Sequence, residues 1–349
     1  MSVSELIAMY RDNELHLHPE FQRFFRWSIE QKSRLIESLL LGIPVPPIFV
    51  SERSDSKWDV IDGLQRLSTI LELLGELKRE DGTNYPPLQL TRTHYLPDLE
   101  GRKWASGDPD DFTLSEGAQI RIKRARIDIN IVKSTSTEQV KYEVFQRLNN
   151  GGAAATEQEI RSCLLVMTNR EYFSWVKKLA EHEGFRSSLS LTDRALEEAF
   201  DMELVVRFLV FMSKPVEELQ KIDELGAYLN YETIAQAKDT VFPKDRFSDC
   251  FNRVFNFLGE TLREDSFRRY DPVRQRYMGP MLVSLFETVA IGFGYRLFNG
   301  GDLPDPARFL ENHKALWGEL GPQPYVGSGI RASTRIPQTI SFGREWASR

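Results

Sequence analysis

The sequence is poor in the residues that build disulfide frameworks and zinc sites. Its two cysteines, Cys163 and Cys250, lie far apart within apolar helical patterns, so buried free thiols are predicted. There is no CxxC pair, and the five histidines show no HxxxH or HExxH spacing. His16 and His18 lie two residues apart, but a solvated pair explains that spacing more simply than a metal site. A structural zinc and a zinc hydrolase are therefore disfavoured.

Long apolar runs and an overall basic charge are also missing. The most apolar stretch, residues 281–298, contains Glu287 and Arg296 and is too short and interrupted to span a bilayer. The chain start shows no secretory signal pattern, so we expect a cytoplasmic protein with reduced thiols and no membrane partner. The formal net charge of -6 excludes a generally basic nucleic-acid coat, so any contact with DNA requires a local patch.

The length and composition indicate a globular chain with about two domains. Hydrophobic residues make up 41% and charged residues 28%, which is enough for a sizeable core. Residues 1–150 have an α+β pattern, whereas residues 151–349 are mostly α-helical in pattern and end in a basic Gly/Ser/Arg-rich tail. The border falls near residues 150–165 without an obvious flexible linker, so we expect the two domains to pack tightly.

Helix and strand signals in the first half are local and specific. A capping box of Ser28 and Gln31 opens a helix, and Gly42 ends it. The next residues predict a hairpin of two strands followed by a second helix, over residues 47–52, 58–62 and 63–74.

The rest of the chain predicts a long irregular segment, one more strand and many helices. Residues 79–119 are rich in turn residues, which is typical of an insertion or a functional cover. Residues 119–133 alternate in polarity, and a slip in that alternation predicts a bulge or a change of strand partner. Capping boxes that begin at Ser136 and Thr156 open helices, and helical patterns then dominate. The segment from Pro322 onward predicts a loop.

The strongest candidate site is VIDGLQR at residues 60–66. A strand ends at Asp62, Gly63 makes the turn and a helix begins, so backbone N–H groups and the positive end of the helix dipole can bind phosphate. Arg66 adds a bidentate phosphate donor, Asp62 can hold a divalent cation, and Gln65 can position a water. A plain helix start with a surface pair between Asp62 and Arg66 is the structural alternative.

Three further segments supply candidate ligands. Residues 19–27 interleave arginines with aromatic residues, which suits stacking on bases or, alternatively, a strand with buried aromatics. Residues 149–152, Asn-Asn-Gly-Gly, form an anion nest or a simple turn between helices. Residues 327–344 are hydroxyl-bearing and basic, and either contact phosphate or are merely solvated. The candidate phosphate-binding residues are Gln22, Arg23, Gly63, Ser68, Asn149, Gly152 and Arg161, and the candidate DNA-binding residues are Arg26, Arg331, Arg335 and Arg344.

Together these segments resemble a known family. The order QR…W, LIESLLLGIPVPPIF, IDGLQRLSTI and FQRLNNGGAAATEQEIR is similar to the N-terminal domain of GmrSD-type modification-dependent restriction systems, also called the domain of unknown function 262. The resemblance covers residues 15–165 and implies a ParB/sulfiredoxin-like α+β fold, here packed on a helical second domain. It also implies binding and hydrolysis of a nucleoside triphosphate with Mg²⁺, and anti-phage defence against modified DNA.

The chain departs from the family pattern in two respects. The family motif DGQQR falls on residues 62–66, where Leu64 replaces the first Gln, so turnover is expected to be weak if that Gln assists hydrolysis. Many family members also carry an HNH-type nuclease, and no paired His and Asn residues of that kind occur here, so the chain is expected either to work with a separate nuclease or effector or to do its chemistry in the domain present. The residues that match outside the DGQQR motif are Gln22, Arg23, Asn149, Gly152, Glu159 and Arg161.

The residues leave three functions open. The first is an NTP-dependent sensor or regulator in a restriction system, with Asp62, Gln65 and Arg66 at the triphosphate. The second is an enzyme that acts directly on phage DNA, by strand cleavage or by removal of a modified base. The third is a non-catalytic module that binds nucleotide or DNA, which Leu64 supports best.

Overall fold

A computed structural model describes residues 1–17, 27–53, 55–79, 81–105, 112–133, 156–326 and 329–349. The chain forms two compact units, Met1–Ala154 and Ala155–Arg349. The first unit combines a small sheet with helices, and the described part of the second is helical apart from a short hairpin. The predicted α+β class with a helical second half is confirmed.

The first unit is built around a mixed four-stranded sheet of order β1-β3-β2-β4. β2 runs antiparallel to β3 as the predicted hairpin, whereas β1 pairs parallel with β3 and β4 pairs parallel with β2. The elements are α1 (Val3–Arg11), β1 (Leu15–His16), α2 (Ile29–Leu41), β2 (Ile48–Glu52), β3 (Trp58–Asp62), α3 (Leu64–Leu73), α4 (Glu116–Arg124) and β4 (Ile129–Val132).

The helices α2 and α3 follow the predicted boundaries. The Ser28 hydroxyl accepts from Gln31 N, the Gln31 side chain accepts from Ser28 N, and Gly42 ends α2 in the left-handed region with φ 71°. Leu67 and Ile70 on α3 and Ile36 on α2 are fully buried in one hydrophobic core. Each such side chain stabilises the fold by roughly 1.5–3 kcal/mol. The core therefore fixes the start of α3 against α2 and the sheet.

Residues 119–133 form the end of a helix and then a strand, so the prediction of strand structure with a bulge or a change of partner was wrong. Ser115 caps α4 by accepting from Ala118 N. Ile122 is the buried residue of α4, and Ile127 is buried just before β4. The slip in the hydrophobic pattern therefore marks the place where a period of 3.6 residues gives way to a period of 2.

The irregular segment before α4 is held by a buried carboxylate. Glu37 Oε1 on α2 accepts from Tyr95 N at 2.7 Å and from Leu96 N at 2.9 Å. Burial alone would raise the pKa of Glu37, but these bonds and one from the Thr93 side chain hold the pKa below its usual value. The described part of this segment includes a 3₁₀ turn at Pro97–Leu99.

The second unit consists mainly of packed helices. The predicted capping box of Thr156 and Glu159 is present at its first helix, and the hairpin strands β5 and β6 pair antiparallel. The elements are α5 (Glu157–Thr168), α6 (Arg170–Ala180), α7 (Glu183–Ser187), α8 (Asp193–Glu197), α9 (Phe200–Phe211), α10 (Val216–Leu219), α11 (Leu225–Lys238), α12 (Lys244–Thr261), β5 (Arg269–Asp271), β6 (Arg276–Met278), α13 (Val283–Phe298), α14 (Pro306–Leu320) and α15 (Ala332–Ser348).

The tail is a helix, so the prediction of a loop from Pro322 onward was wrong for residues 332–348. α15 packs along α13 and buries Ile336, Ile340 and Trp346. Its Gly and Ser content resembles that of a loop, but the small residues let the two helix backbones approach closely. Composition alone does not reveal that partner.

A buried histidine ties the hairpin to α14. His313 Nε2 lies 2.9 Å from Ser266 O, and its Nδ1 lies 3.2 Å from the Tyr277 hydroxyl. Burial lowers the pKa of His313 to about 4, so the imidazole is neutral at pH 7. The Ser266 carbonyl requires a proton on Nε2, and Nδ1 then accepts from Tyr277.

Two predictions from composition concern the thiols and the apolar run. Cys250 is a buried free thiol, as predicted, whereas the side chain of Cys163 lies outside the described residues. Within the described ranges, no helix is long and apolar enough to cross a bilayer.

Candidate nucleotide-binding site

The turn between β3 and α3 can be made only by glycine. Gly63 has φ 92°, and a Cβ there would lie 2.7 Å from Ile48 Cγ1 and 3.1 Å from Arg66 Nη2. Gly63 is the N-cap residue of α3, and among the described residues no side chain caps this helix. The positive end of α3 is thus left for another acceptor, as an anion site requires.

Arg66 joins the two sides of this turn. Its Nη2 donates to Asp62 Oδ2 at 2.8 Å and to Pro47 O at 3.1 Å. Its Nε is buried and has no hydrogen-bond partner in the described part of the chain. The Asp62 side chain is 35% exposed and that of Arg66 13%. The pair is therefore partly accessible to solvent through Asp62, whereas the Nε of Arg66 is shielded.

A cleft of about 420 Å³ lies beside Arg66. Trp27 lines it, and Trp27 N donates a long hydrogen bond, 3.4 Å, to Gln65 Oε1. The cleft combines an indole, two guanidiniums and an apolar wall, and its volume is typical of a small-molecule site. Its lining includes Trp27, Arg34, Ser38, Pro44, Val45 and Arg66.

Residues 3–166 match the family model of the GmrSD restriction endonuclease N-terminal domain. The chain carries a GmrSD-type N-terminal domain. This match links the N-terminal part of the chain to restriction-type defence. The match runs through the first unit and into α5. No curated protein and no solved structure matches the chain.

The sequence pattern of the GmrSD-type domain did not single out Arg34 or Ser38. Both lie on α2 and share one face of it with Gln31 and Leu35, since these positions are three and four residues apart. A search for polar residues that share a face with Leu35 would have found them. Proximity to Arg66, in contrast, depends on how α2 packs against α3.

Two residues of the motif segment face the interior rather than the cleft. Ser68 is fully buried, and its hydroxyl has no hydrogen-bond partner among the described residues. Leu64 is half-buried and packs against the hydrophobic core. Neither residue lines the cleft, so the geometry gives no support to a phosphate contact by Ser68.

Some of the predicted ligands of the GmrSD-type domain lie outside the described residues. Their roles stay predictions. They are Gln22, Arg23, Arg26, Asn149 and Gly152.

Arg161 is engaged inside the second unit. It has no exposed surface, its Nε donates to Asn230 Oδ1 at 2.7 Å, and its Nη1 donates to Gln158 Oε1. It thereby ties α5 to α11. A buried guanidinium with these partners has a structural task, so the geometry does not support the phosphate contact predicted for it.

The tail arginines also prove to be largely structural. Arg335 donates to both carboxylate oxygens of the buried Glu287, at 3.1 and 3.0 Å. Arg344 donates to Phe211 O at 3.2 Å, lies 3.8 Å from the Tyr295 ring centroid, and has its pKa lowered by burial. Arg331 is exposed at the start of α15. Arg335 and Arg344 are therefore poor DNA contacts, because helix packing occupies them.

Asp62 is the residue predicted to bind Mg²⁺. Among the described residues, no group of three or more His, Cys, Asp or Glu side chains could hold a metal ion. Mg²⁺ is commonly bound through one or two carboxylates together with phosphate oxygens and waters. Asp62 fits that pattern as a single protein ligand of a phosphate-bound ion.

We expect Gly63→Ala to destabilise the GmrSD-type domain by about 2–4 kcal/mol, because an added Cβ meets both the left-handed backbone penalty and the Ile48 side chain. Gly82→Ala is the matched control, since Gly82 has φ 83° and open space around the added Cβ. That variant should lose only about 1 kcal/mol. Chemical denaturation of both variants measures the difference, and equal losses would contradict the close packing described for this turn.

Proposed function

We propose that the GmrSD-type domain binds a nucleoside triphosphate with Mg²⁺ in the cleft beside the β3–α3 turn, and that this ligand controls restriction of DNA, including modified phage DNA. Arg66 carries the proposal. It lines the cleft, it lies at the uncapped start of α3, and the Asp62 carboxylate that pairs with it is partly exposed. A polyphosphate offers the charge and the acceptors that this arrangement leaves unmet.

The roles of the surrounding residues follow from their positions. The first amides of α3 and Arg66 hold phosphate oxygens, and the exposed side of Asp62 reaches a phosphate-bound ion. Mg²⁺, when bound, neutralises the charge of the phosphates. Trp27 offers a ring face for a base, and Arg34 adds a second cation to the cleft. Gln65 positions Trp27 through the backbone hydrogen bond.

Leu64 favours binding over rapid turnover. Leu64 packs against the core and does not line the cleft. The motif therefore lacks the polar Gln side chain at this position, while the residues that line the cleft are unaffected. The proposed function is therefore a nucleotide-dependent sensor or regulator that works with a separate nuclease or effector. Nucleotide binding without hydrolysis and without any effect on DNA would instead identify a non-catalytic module.

The variant Arg66→Ala is expected to weaken binding of ATP or GTP in the presence of Mg²⁺ by about 10- to 100-fold, because it removes charge-assisted hydrogen bonds to phosphate. Isothermal titration calorimetry measures the affinity. Arg11→Ala is the matched control, since Arg11 forms an exposed ion pair with Glu76 in the same unit. Arg66→Lys should recover only part of the loss, because an ammonium cannot replace the planar fork.

A folded Arg66→Ala protein with wild-type affinity would contradict the proposed site. The sensor role is tested separately by incubating the protein with glucosylated, hydroxymethylated and plain DNA, with and without nucleotide. Strand breaks or abasic sites in the absence of nucleotide would contradict the sensor role and favour direct action on DNA.

A further inference from the structure

One surface of the first unit is basic although the chain as a whole is acidic. Residues 116–133, which include α4 and β4, carry five cationic side chains against two carboxylates, a formal charge of +3 in a chain of -6. Four of the cations fall within six residues, at Arg121, Lys123, Arg124 and Arg126, and all four are exposed. The local patch that contact with DNA requires therefore exists on α4.

Within the described residues, the cations of α4 have no carboxylate partners. Arg121 and Arg124 have no ion pair in the ranges that the structure describes. Two exposed arginines of the second unit do have such partners: Arg194 lies 2.8 Å from Glu198, and Arg253 lies 3.1 Å from Asp302. Unpaired cations that repel one another are unfavourable for the free protein, so an external polyanion is the partner that this arrangement suits.

The positions of these cations suit a row of phosphates. Arg121 and Arg124 are three residues apart on α4 and so share one face, with about 5–6 Å between their Cβ atoms. Lys123 Nζ lies 5.6 Å from the Trp104 ring centroid, which places it beside a partly buried aromatic residue. Arg121, Lys123 and Arg124 lie in the last turn of α4, where cations also compensate the helix dipole. That role does not explain Arg126, which lies beyond the end of the helix.

We propose that the α4 basic surface, formed by Arg121, Lys123 and Arg124, binds the phosphate backbone of duplex DNA without reading its sequence. Contacts from Lys and Arg to phosphates supply non-specific affinity of this kind. The choice of DNA as the polyanion rests on the proposed function, whereas nucleotide binding is not needed for it. α4 packs against α2, and α2 forms a wall of the cleft. DNA bound to α4 would therefore contact a helix that packs directly against a wall of the proposed nucleotide site.

The test compares two variants of equal net charge. One combines Arg121→Gln, Lys123→Gln and Arg124→Gln. The control combines Arg194→Gln, Arg274→Gln and Arg276→Gln at exposed positions of the second unit. Fluorescence anisotropy with a labelled DNA duplex is recorded over a series of salt concentrations. The slope of log affinity against log salt should shrink by about 2–3 in the α4 variant, and its affinity at moderate salt should fall at least about tenfold. The control should stay within about twofold of the wild type.

Several outcomes would overturn the proposal. Equal DNA affinity of the two variants, or no DNA binding by the wild type at low salt, would remove the α4 surface as a DNA site. Displacement of the DNA by duplex RNA at equal concentration would show a general polyanion surface instead. If the triple variant unfolds, the single variants Arg121→Gln and Arg124→Gln decide, each with an expected slope change of about 0.9. ATP titration of the same proteins separates the proposals, since a wild type that binds DNA but no nucleotide contradicts only the proposed function.

Discussion

The variant Glu287→Gln is expected to lose about 3–5 kcal/mol of unfolding free energy, the largest effect of any change discussed for this chain. Glu287 on α13 is fully buried. Its carboxylate accepts from Arg335 at 3.1 and 3.0 Å, from Arg207 at 3.2 Å and from the Thr339 hydroxyl at 2.8 Å. Gln keeps the shape but removes the charge, which leaves Arg335 without its counterion and Arg207 with Glu203 as its one remaining carboxylate partner among the described residues.

The direction of the Arg335 pKa supports this expectation. Burial alone would lower that pKa, but the hydrogen bonds and the charge of Glu287 raise it above the usual value. Glu319→Gln is the control, because Glu319 forms an exposed pair with Arg349 at 2.7 Å. That pair should be worth less than about 1 kcal/mol. Denaturant unfolding followed by a signal from the second unit measures both variants, and losses of similar size would contradict the importance of the buried network.

Gly343→Ala is expected to destabilise the second unit by about 3 kcal/mol. A Cβ at Gly343 on α15 would overlap the backbone carbonyl of Thr288 on α13. The contact is reciprocal, since a Cβ at Gly292 on α13 would lie 2.5 Å from Gly343 O. Backbone atoms cannot rotate away as a side chain can, so the two helices must separate and lose contacts along their length.

The matched control for this crossing is Gly318→Ala. Gly318 lies within α14, and nothing lies within 4 Å of an added Cβ there. Alanine has the higher helix propensity, so this change should stabilise the protein by about 0.5–1 kcal/mol. Thermal denaturation of the two variants should give shifts of opposite sign. A neutral or positive shift for Gly343→Ala would contradict the close crossing of α13 and α15.

Substitutions in α15 have effects on stability that resemble effects on DNA binding. Arg335 lies in α15 and binds the buried Glu287, so Arg335→Ala is expected to lower the measured affinity in a DNA-binding assay by destabilising the second unit, whether or not Arg335 contacts DNA. Such a loss would mimic the loss of a DNA contact. The α4 variants avoid this ambiguity, because Arg121 and Arg124 are exposed.

The sequence by itself determined the local features of this protein. The Ser28–Gln31 and Thr156–Glu159 capping boxes and the turn at Gly63 were predicted, because each depends on residues within four positions of one another. The four motif segments, taken together in their order, also identified the family correctly. These signals needed no knowledge of the rest of the chain.

Tertiary structure decided the features that depend on a distant partner. The tail became a helix because α13 lies beside it, and Arg335 became structural because Glu287 is buried at that contact. Likewise Arg34 joins the cleft of Arg66 only through the packing of α2 against α3. A side chain's burial and ion-pair partners are properties of the packed chain, so no pattern confined to its own segment could predict them.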